Sequence, residues 1–330
     1  LATVSFAVDG GSFLGLSLAV RPEAGSLAAL SSDVVLLLGL AWTLSLLFRG
    51  RASLSRLRAV TNEAPHLEDG EHTRHDTDLS TGDLEFRNVS LTLNEHRVLH
   101  DISFRVRRGE RLGITGPTGS GKTMLLNLLL RRFDPDAGSI HIGPHDLRSV
   151  SASDLYRIIR MAPQEPILFS MTLGENLRLA HPEADDAALQ EVLRLSALDQ
   201  DLQELPRGLD TLIGERGVTL SGGQRQRCAI ARALLAAPEL LLLDDSLSAV
   251  DTATEQMILD RLLPFLRTRT AIIVSHRYAT LRHCDTLLVL RDGRIEQAGP
   301  PDVLRATPGY FAELCERQRL ESELEALNAG

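Results

Sequence analysis

The chain has 330 residues, 35 basic against 44 acidic side chains, a formal net charge of -9 and 43% apolar residues. That length suggests two domains, or one large domain with an appendage, and the acidic balance argues against a nucleic-acid partner, which needs a basic face. The ordinary apolar content excludes disorder, and three widely spaced cysteines (Cys228, Cys284, Cys315) exclude a disulfide scaffold or a cysteine zinc site and read as reduced cytosolic thiols.

The chain begins at Leu1 rather than at a methionine, as a fragment or processed piece would. Residues 1–20 form a weak candidate membrane helix, interrupted by Asp9 and the Gly10-Gly11 pair, and residues 21–26 read as a tight turn. Residues 27–48 are the stronger candidate: 22 residues whose single charge is Asp33. As a helix this run would span about 33 Å, against a bilayer core of about 30 Å. Arg49, Arg51, Arg56 and Arg58 follow at once, which by the positive-inside rule places residue 49 onward in the cytoplasm. A signal peptide is not expected, because no basic start and no small-residue cleavage site flank the run. A buried core hairpin is the alternative. Asp33, about two turns from Ser26, fits the outer interface as well as a transport pathway.

Residues 65–82 are polar and aperiodic, and read as a linker. Its His66, His72 and His75 read as solvated rather than metal-binding. From Asp83 the texture is α/β. Short apolar runs at 111–115, 158–161, 240–243, 270–275 and 286–290 alternate with helical patterns at 122–131, 223–235 and 255–266. That alternation predicts a mainly parallel sheet covered by helices. Arg291-Asp292-Gly293-Arg294 reads as a hairpin turn, and the end from Pro308 as a charged amphipathic helix. The expected organisation is a partial membrane domain over 1–64, a linker over 65–82 and an α/β domain over 83–330.

Of the basic residues, only Lys122 is lysine. It lies in Gly116-Pro117-Thr118-Gly119-Ser120-Gly121-Lys122-Thr123, a G-x-x-x-x-G-K-[ST] match between a strand-like run and a helical one. Glycines let backbone N–H groups curl around phosphate oxygens, and the helix start adds its positive end. Lys122 would reach the β- and γ-phosphates, and the Thr123 hydroxyl would bind Mg²⁺. The uninterrupted apolar run 240–243 ends in Asp244, as a doubly buried strand carrying a Mg²⁺-orienting acid would. Leu220-Ser221-Gly222-Gly223-Gln224 precedes a helical stretch. Serine there is a normal cap, but two successive glycines bare amides to a second anion.

On these residues the chain from Asp83 resembles the nucleotide-binding domain of an ATP-binding cassette (ABC) transporter, an α/β P-loop NTPase with a helical subdomain. LSGGQ is that family's signature. In the same resemblance Gln164, 42 residues after Lys122, is the Q-loop glutamine that touches Mg²⁺; Ser248-Ala249-Val250-Asp251 is the D-loop; and His276 is the switch histidine on the γ-phosphate. The stretch 211–217 resembles the one before the signature in exporters, where Glu215 would contact the membrane domain's cytoplasmic loops. Residues 1–64 are similar to the last two of an exporter half's six membrane helices, an α-helical transmembrane hairpin. The resemblance implies ATP and Mg²⁺ as ligands, membrane lipid around the helices and a multi-pass place in the plasma membrane. It also implies a second half-transporter, whose P-loop would face this chain's Ser221, Gly222, Gly223 and Gln224 across a shared ATP.

Two positions depart from the family. Asp245 stands where a glutamate normally orients and deprotonates the attacking water, one methylene short. This resembles the weakly hydrolytic half of heterodimeric bacterial multidrug exporters. A homodimer hydrolysing with Asp245, or a regulatory subunit that does not hydrolyse, are the alternatives, and a soluble ABC-type ATPase on DNA or ribosomes would need a basic surface. Leu93 stands where an aromatic usually stacks on adenine; it keeps dispersion contact but loses stacking. The expected function is ATP binding and hydrolysis, with Lys122, Gln164, Asp245 and His276 at the reacting phosphate, driving export of a small molecule, lipid or peptide.

Overall fold

The computed structural model describes residues 3–7, 15–19, 27–61, 82–214 and 220–328. It divides into two compact units, Leu1–Pro65 and His66–Gly330. In the first, β1 (Thr3–Ala7) pairs antiparallel with β2 (Gly15–Ala19), Thr3 opposite Ala19. This corrects the helix expected over residues 1–20. Thr3-Val4-Ser5-Phe6 and Leu16-Ser17-Leu18 alternate with period two, which belongs to a strand rather than a helix. The stronger candidate does form a helix, α1 (Leu27–Thr61), which continues 13 residues past Phe48. Its described apolar side chains lie open, Trp42 at 70% and Leu47 at 65%. Among the described residues no helix is long and apolar enough to cross a membrane; the side chains of residues 27–36, the first half of the apolar run, lie outside them. The predicted linker lies outside the described residues up to residue 81, with His66, His72 and His75.

The second unit begins with three strands, β3 (Leu84–Leu93), β4 (His96–Val106) and β5 (Arg111–Thr115), then α2 (Lys122–Leu129). There follow β6 (Ala137–Ile142), β7 (His145–Asp146), α3 (Ala152–Ile158) and β8 (Ile159–Ala162). Four helices come next: α4 (Leu173–Arg178), α5 (Asp186–Leu195), α6 (Leu198–Asp201) and α7 (Gly222–Leu235). The chain then alternates β9 (Leu240–Asp244), α8 (Thr252–Leu266), β10 (Thr270–Val274) and α9 (Tyr278–Leu281). It closes with β11 (Thr286–Arg291), β12 (Arg294–Gly299), α10 (Pro301–Ala306) and α11 (Tyr310–Asn328).

Two sheets organise this unit. One runs β12-β11-β5-β10-β9-β8, parallel except for the edge strand β12; the other is antiparallel, β4-β3-β6-β7. Strand periodicity explains how the parallel sheet divides the core. Leu241, Leu243, Ala271 and Ile273 point into a core shared with α4–α8, whereas Leu240, Leu242, Ile272 and Val274 point into one shared with α2 and the antiparallel sheet. A strand buried on both faces must be apolar at every position, which is why 240–243 reads as unbroken leucine. The predicted parallel sheet and hairpin turn are present: Arg291 pairs with Arg294, and Asp292 and Gly293 have φ of 49° and 70°. Positive φ at both central residues suits the twist of a two-residue hairpin.

Candidate nucleotide-binding site

The register brings the candidate residues to one edge. Val274 of β10 lies opposite both Asp244 of β9 and Ile114 of β5. The three strands therefore end in a row, and the segments 115–121, 245–251 and 275–277 leave from their C-terminal ends, where open α/β sheets place ligands.

The segment after β5 is a cradle built from backbone. Gly116 has φ +142°, and a Cβ there would sit 2.0 Å from the Leu290 carbonyl oxygen, so no side chain fits. Gly119 and Gly121 also have positive φ, and Gly121 is the N-cap of α2 with no side-chain cap. The first-turn N–H groups of α2 are therefore left for an external acceptor, which a phosphate supplies. Lys122 is buried, and its Nζ donates to the carbonyls of Gly116 (2.9 Å) and Pro117 (2.8 Å). These neutral partners take its protons without neutralising its charge. Burial holds the ammonium below the usual lysine range, and the charges of Asp245 and Asp244 pull it back up.

Asp244 is 4% exposed, and burial raises its carboxyl above the ordinary value. A hydrogen bond with the Thr123 side chain opposes that rise, Asp245 adds to it, and Lys122 lowers it. A carboxylate beside an exposed hydroxyl, next to an unneutralised lysine, is the hard-oxygen donor set that suits Mg²⁺. Asp245 has φ +46°; its N–H donates to Val274 O at 2.9 Å and its carbonyl accepts from Ser248 N–H and Oγ. Gln164 stands exposed two residues beyond β8. His276 leaves the same edge. Burial lowers its imidazole below the ordinary value of 6.5, Lys122 and Arg317 add to this, and Asp245 opposes it.

The sign of a pH effect follows. A lowered native value means that the unfolded chain binds the extra proton first, so this group's contribution to stability is present above about pH 6.5 and is lost below it. Thermal unfolding from pH 7.5 to 5 should therefore show the wild type losing more stability than a His276→Gln chain. Parallel curves would show that the site does not disfavour the charged imidazole.

Leu93 is half buried at the end of β3, opposite His96, and packs against the core beneath the antiparallel sheet. Neighbouring Leu99 comes within 2.7 Å of where a Gly121 Cβ would be, so the β3–β4 pair lies beside the cradle. The LSGGQ serine behaves as its sequence position implies: Ser221 caps α7 in a reciprocal capping box. Gln224 N–H donates to Ser221 Oγ at 3.2 Å, and Ser221 N–H to Gln224 Oε1 at 2.9 Å. Gln224 also donates to Asp201, so its side chain has a structural use that the sequence reading did not assign. Gly223 packs on the D-loop, where a Cβ would lie 3.0 Å from the Ala249 oxygen. Glu215 lies outside the described residues.

Three further residues escaped the sequence reading. Arg277 donates to the carbonyls of Val250 and Ser248, both at 2.9 Å, and pairs with the buried carboxylate of Glu255. Gln226 holds the other side of the same loop. Arg277 directly follows His276, and that adjacency is the one signal by which sequence could have found it.

The family described as ABC transporter matches over residues 99–248. The chain is 39% identical over 291 residues to the multidrug resistance-like ATP-binding protein MdlA of Escherichia coli, covering 88% of this chain and 49% of that protein. It is 40% identical over 275 residues to the probable multidrug resistance ABC transporter ATP-binding/permease protein YheI of Bacillus subtilis, covering 82% and 46%. A solved bacterial Atm1-family ABC exporter with ATP bound is similar with a TM-score of 0.76 and 34% identity, over 82% of this chain and 47% of that one. The chain thus spans about half the length of these three proteins.

Proposed function

We infer the activity from one premise: the C-terminal region of this chain belongs to the ABC transporter family, as an ATP-binding domain of the exporter type. What carries the reading to particular residues is the convergence of Lys122, Thr123, Asp244, Asp245 and His276 at the ends of three adjacent strands. The Gly116–Thr123 backbone and Lys122 would grip the phosphates. Thr123, Asp244 and Gln164 would hold Mg²⁺, which when bound neutralises charge on the β- and γ-oxygens. Asp245 would orient water for in-line attack on the γ-phosphorus, the water oxygen bonding as the bridging oxygen leaves. Neutral His276 and charged Lys122 would then stabilise the charge spreading over the equatorial oxygens. Leu93 would cover the adenine ring.

The second half of the site is expected from a partner. The capping box occupies the N–H of Gln224 but leaves those of Gly222 and Gly223 at the first two helical positions, which have no intrahelical acceptor. These amides, with Ser221, would close over an ATP held by a second half-transporter, more readily a different chain than a copy, given Asp245. Cycles of closure and opening would drive export of an unidentified small molecule, lipid or peptide. The open apolar side chains of α1 up to Phe48 support a place among lipid and further membrane helices, with Arg49, Arg51, Arg56 and Arg58 later in the same helix on the cytoplasmic side.

Ser221→Ala tests this division. It should lower ATP turnover of the membrane-assembled transporter about tenfold or more, the scale of one lost charge-assisted hydrogen bond. The ATP affinity of the isolated chain should stay unchanged. A matching loss of affinity in the isolated chain would show that the serine serves its own chain's nucleotide, and the two-chain reading would fail.

A further inference from the structure

Gln226 lies on the same face of α7 as Gly222 and Gly223, four and three residues on. It is 4% exposed, and its amide group is fully engaged with two distant loops. Its Nε2 donates to the carbonyl of Gln164 at 3.2 Å and to Ser248 Oγ at 3.0 Å, and its Oε1 accepts from Ala249 N–H at 2.9 Å. The amide orientation follows from these partners. Ala249 N–H can only donate, so it must face the oxygen; the Gln164 carbonyl can only accept, so it must face the nitrogen. Ser248 has one hydroxyl proton, given to the Asp245 carbonyl at 2.7 Å, so towards Gln226 it accepts. An unbroken relay results, from the Gln164 carbonyl through Gln226 and Ser248 to the backbone of Asp245.

We propose that Gln226 is a positioning residue that locks the Q-loop to the D-loop, so that Gln164 and Asp245 take up and leave their working positions together. The proposal rests on the reading of Gln164 and Asp245 as the site's metal and water residues. Neither loop has another described side chain tying it to the other. Because the relay ends on backbone atoms, moving one loop by an ångström must either stretch these bonds or carry the other loop along. The bonds are part-buried and Gln226 itself is buried, so breaking them would leave its amide without partners, which favours the second outcome.

Gln226→Met, which keeps the length and volume but cannot hydrogen-bond, is the test, on the full chain and on the assembled transporter. Without nucleotide, hydrogen exchange should quicken about tenfold at the Ala249 amide, the scale of one lost hydrogen bond, and quicken also in residues 161–166. In the assembled transporter kcat should fall about ten- to hundredfold, with KM for ATP within twofold of wild type. Gln226→Glu keeps the acceptor for Ala249 but loses the donors, and should restore protection at Ala249 without restoring kcat. Unchanged exchange at Ala249, loosening of only one loop, or a kcat loss matched by a loss of ATP affinity would each overturn the proposal. Should Gln226→Met fail to fold, Ser248→Ala cuts only the link from Gln226 to the Asp245 carbonyl and keeps the Ala249 bond, so its readout is kcat: a fall with KM for ATP within twofold supports the proposal, and an unchanged kcat overturns it. If the wild type turned over no ATP, the catalytic reading would fall, while the nucleotide-free exchange would still decide the tie between the loops.

Discussion

Lys122→Ala should reduce ATP affinity about ten- to hundredfold, with little loss of folding stability. A hydrogen bond to a charged group contributes about 1.5–3 kcal/mol, and each 1.4 kcal/mol is a factor of ten in binding. The stability side of the prediction follows from the lysine's surroundings. Its ammonium rests on two carbonyls, Gly116 and Pro117, and burial disfavours its charge. Removing it takes away an incompletely compensated buried cation, so thermal unfolding of the nucleotide-free variant should occur at or above the wild-type temperature. Lys122→Arg should fail to rescue binding, because a planar guanidinium cannot take the place of a compact ammonium between carbonyls 2.8 and 2.9 Å away. The chain has no other lysine, so a lysine-directed acylating reagent also reports on this position, and ATP should shield it. Nucleotide titration of wild type and variant decides the matter; equal affinities would remove the lysine from the phosphate site.

The site was legible where backbone geometry forces a residue type. Gly116 is glycine because the Leu290 carbonyl occupies the space of a side chain, and 240–243 is leucine because both faces of its strand are covered. Such constraints leave a mark that one sequence can show. The antiparallel sheet left none that was read: β3 and β4 carry several register shifts, which blur the alternation that signals a strand. Gln226 and Arg277, and the capping use of Gln224, left no mark in the sequence for a different reason. Each acts largely through backbone partners or a cap, and a backbone carbonyl looks the same whatever residue supplies it. Residues 1–20 are apolar enough on average for a helix, but the alternation of Leu16-Ser17-Leu18 belongs to a strand. Gln226 lies 62 residues from Gln164 and 22 and 23 from Ser248 and Ala249, separations at which no local pattern marks a contact.

Asp245→Glu should raise ATP turnover at this chain's own site about ten- to hundredfold, at a small cost in stability. On the proposed reading, the backbone around Asp245 keeps the aspartate from making up for its length. Its N–H is tied to Val274 O, and its carbonyl accepts from Ser248 N–H and Oγ, so the Cα is held from both sides. With the backbone fixed, the missing methylene withdraws the carboxylate by about 1.5 Å, while general-base catalysis requires contact at about 2.6–3.2 Å. An error near 1 Å can cost about a hundredfold. The stability cost arises because the residue sits at φ +46°, a left-handed conformation that aspartate tolerates better than longer side chains. The measurement is ATP turnover of the assembled transporter with its partner's own site disabled, alongside thermal unfolding of the chain. A rise in turnover with a slightly lower unfolding temperature supports a site made slow by one missing methylene. Turnover already ordinary with aspartate and unchanged with glutamate would instead make Asp245 a working base, and the asymmetric pairing with a second, different chain would lose its physical ground.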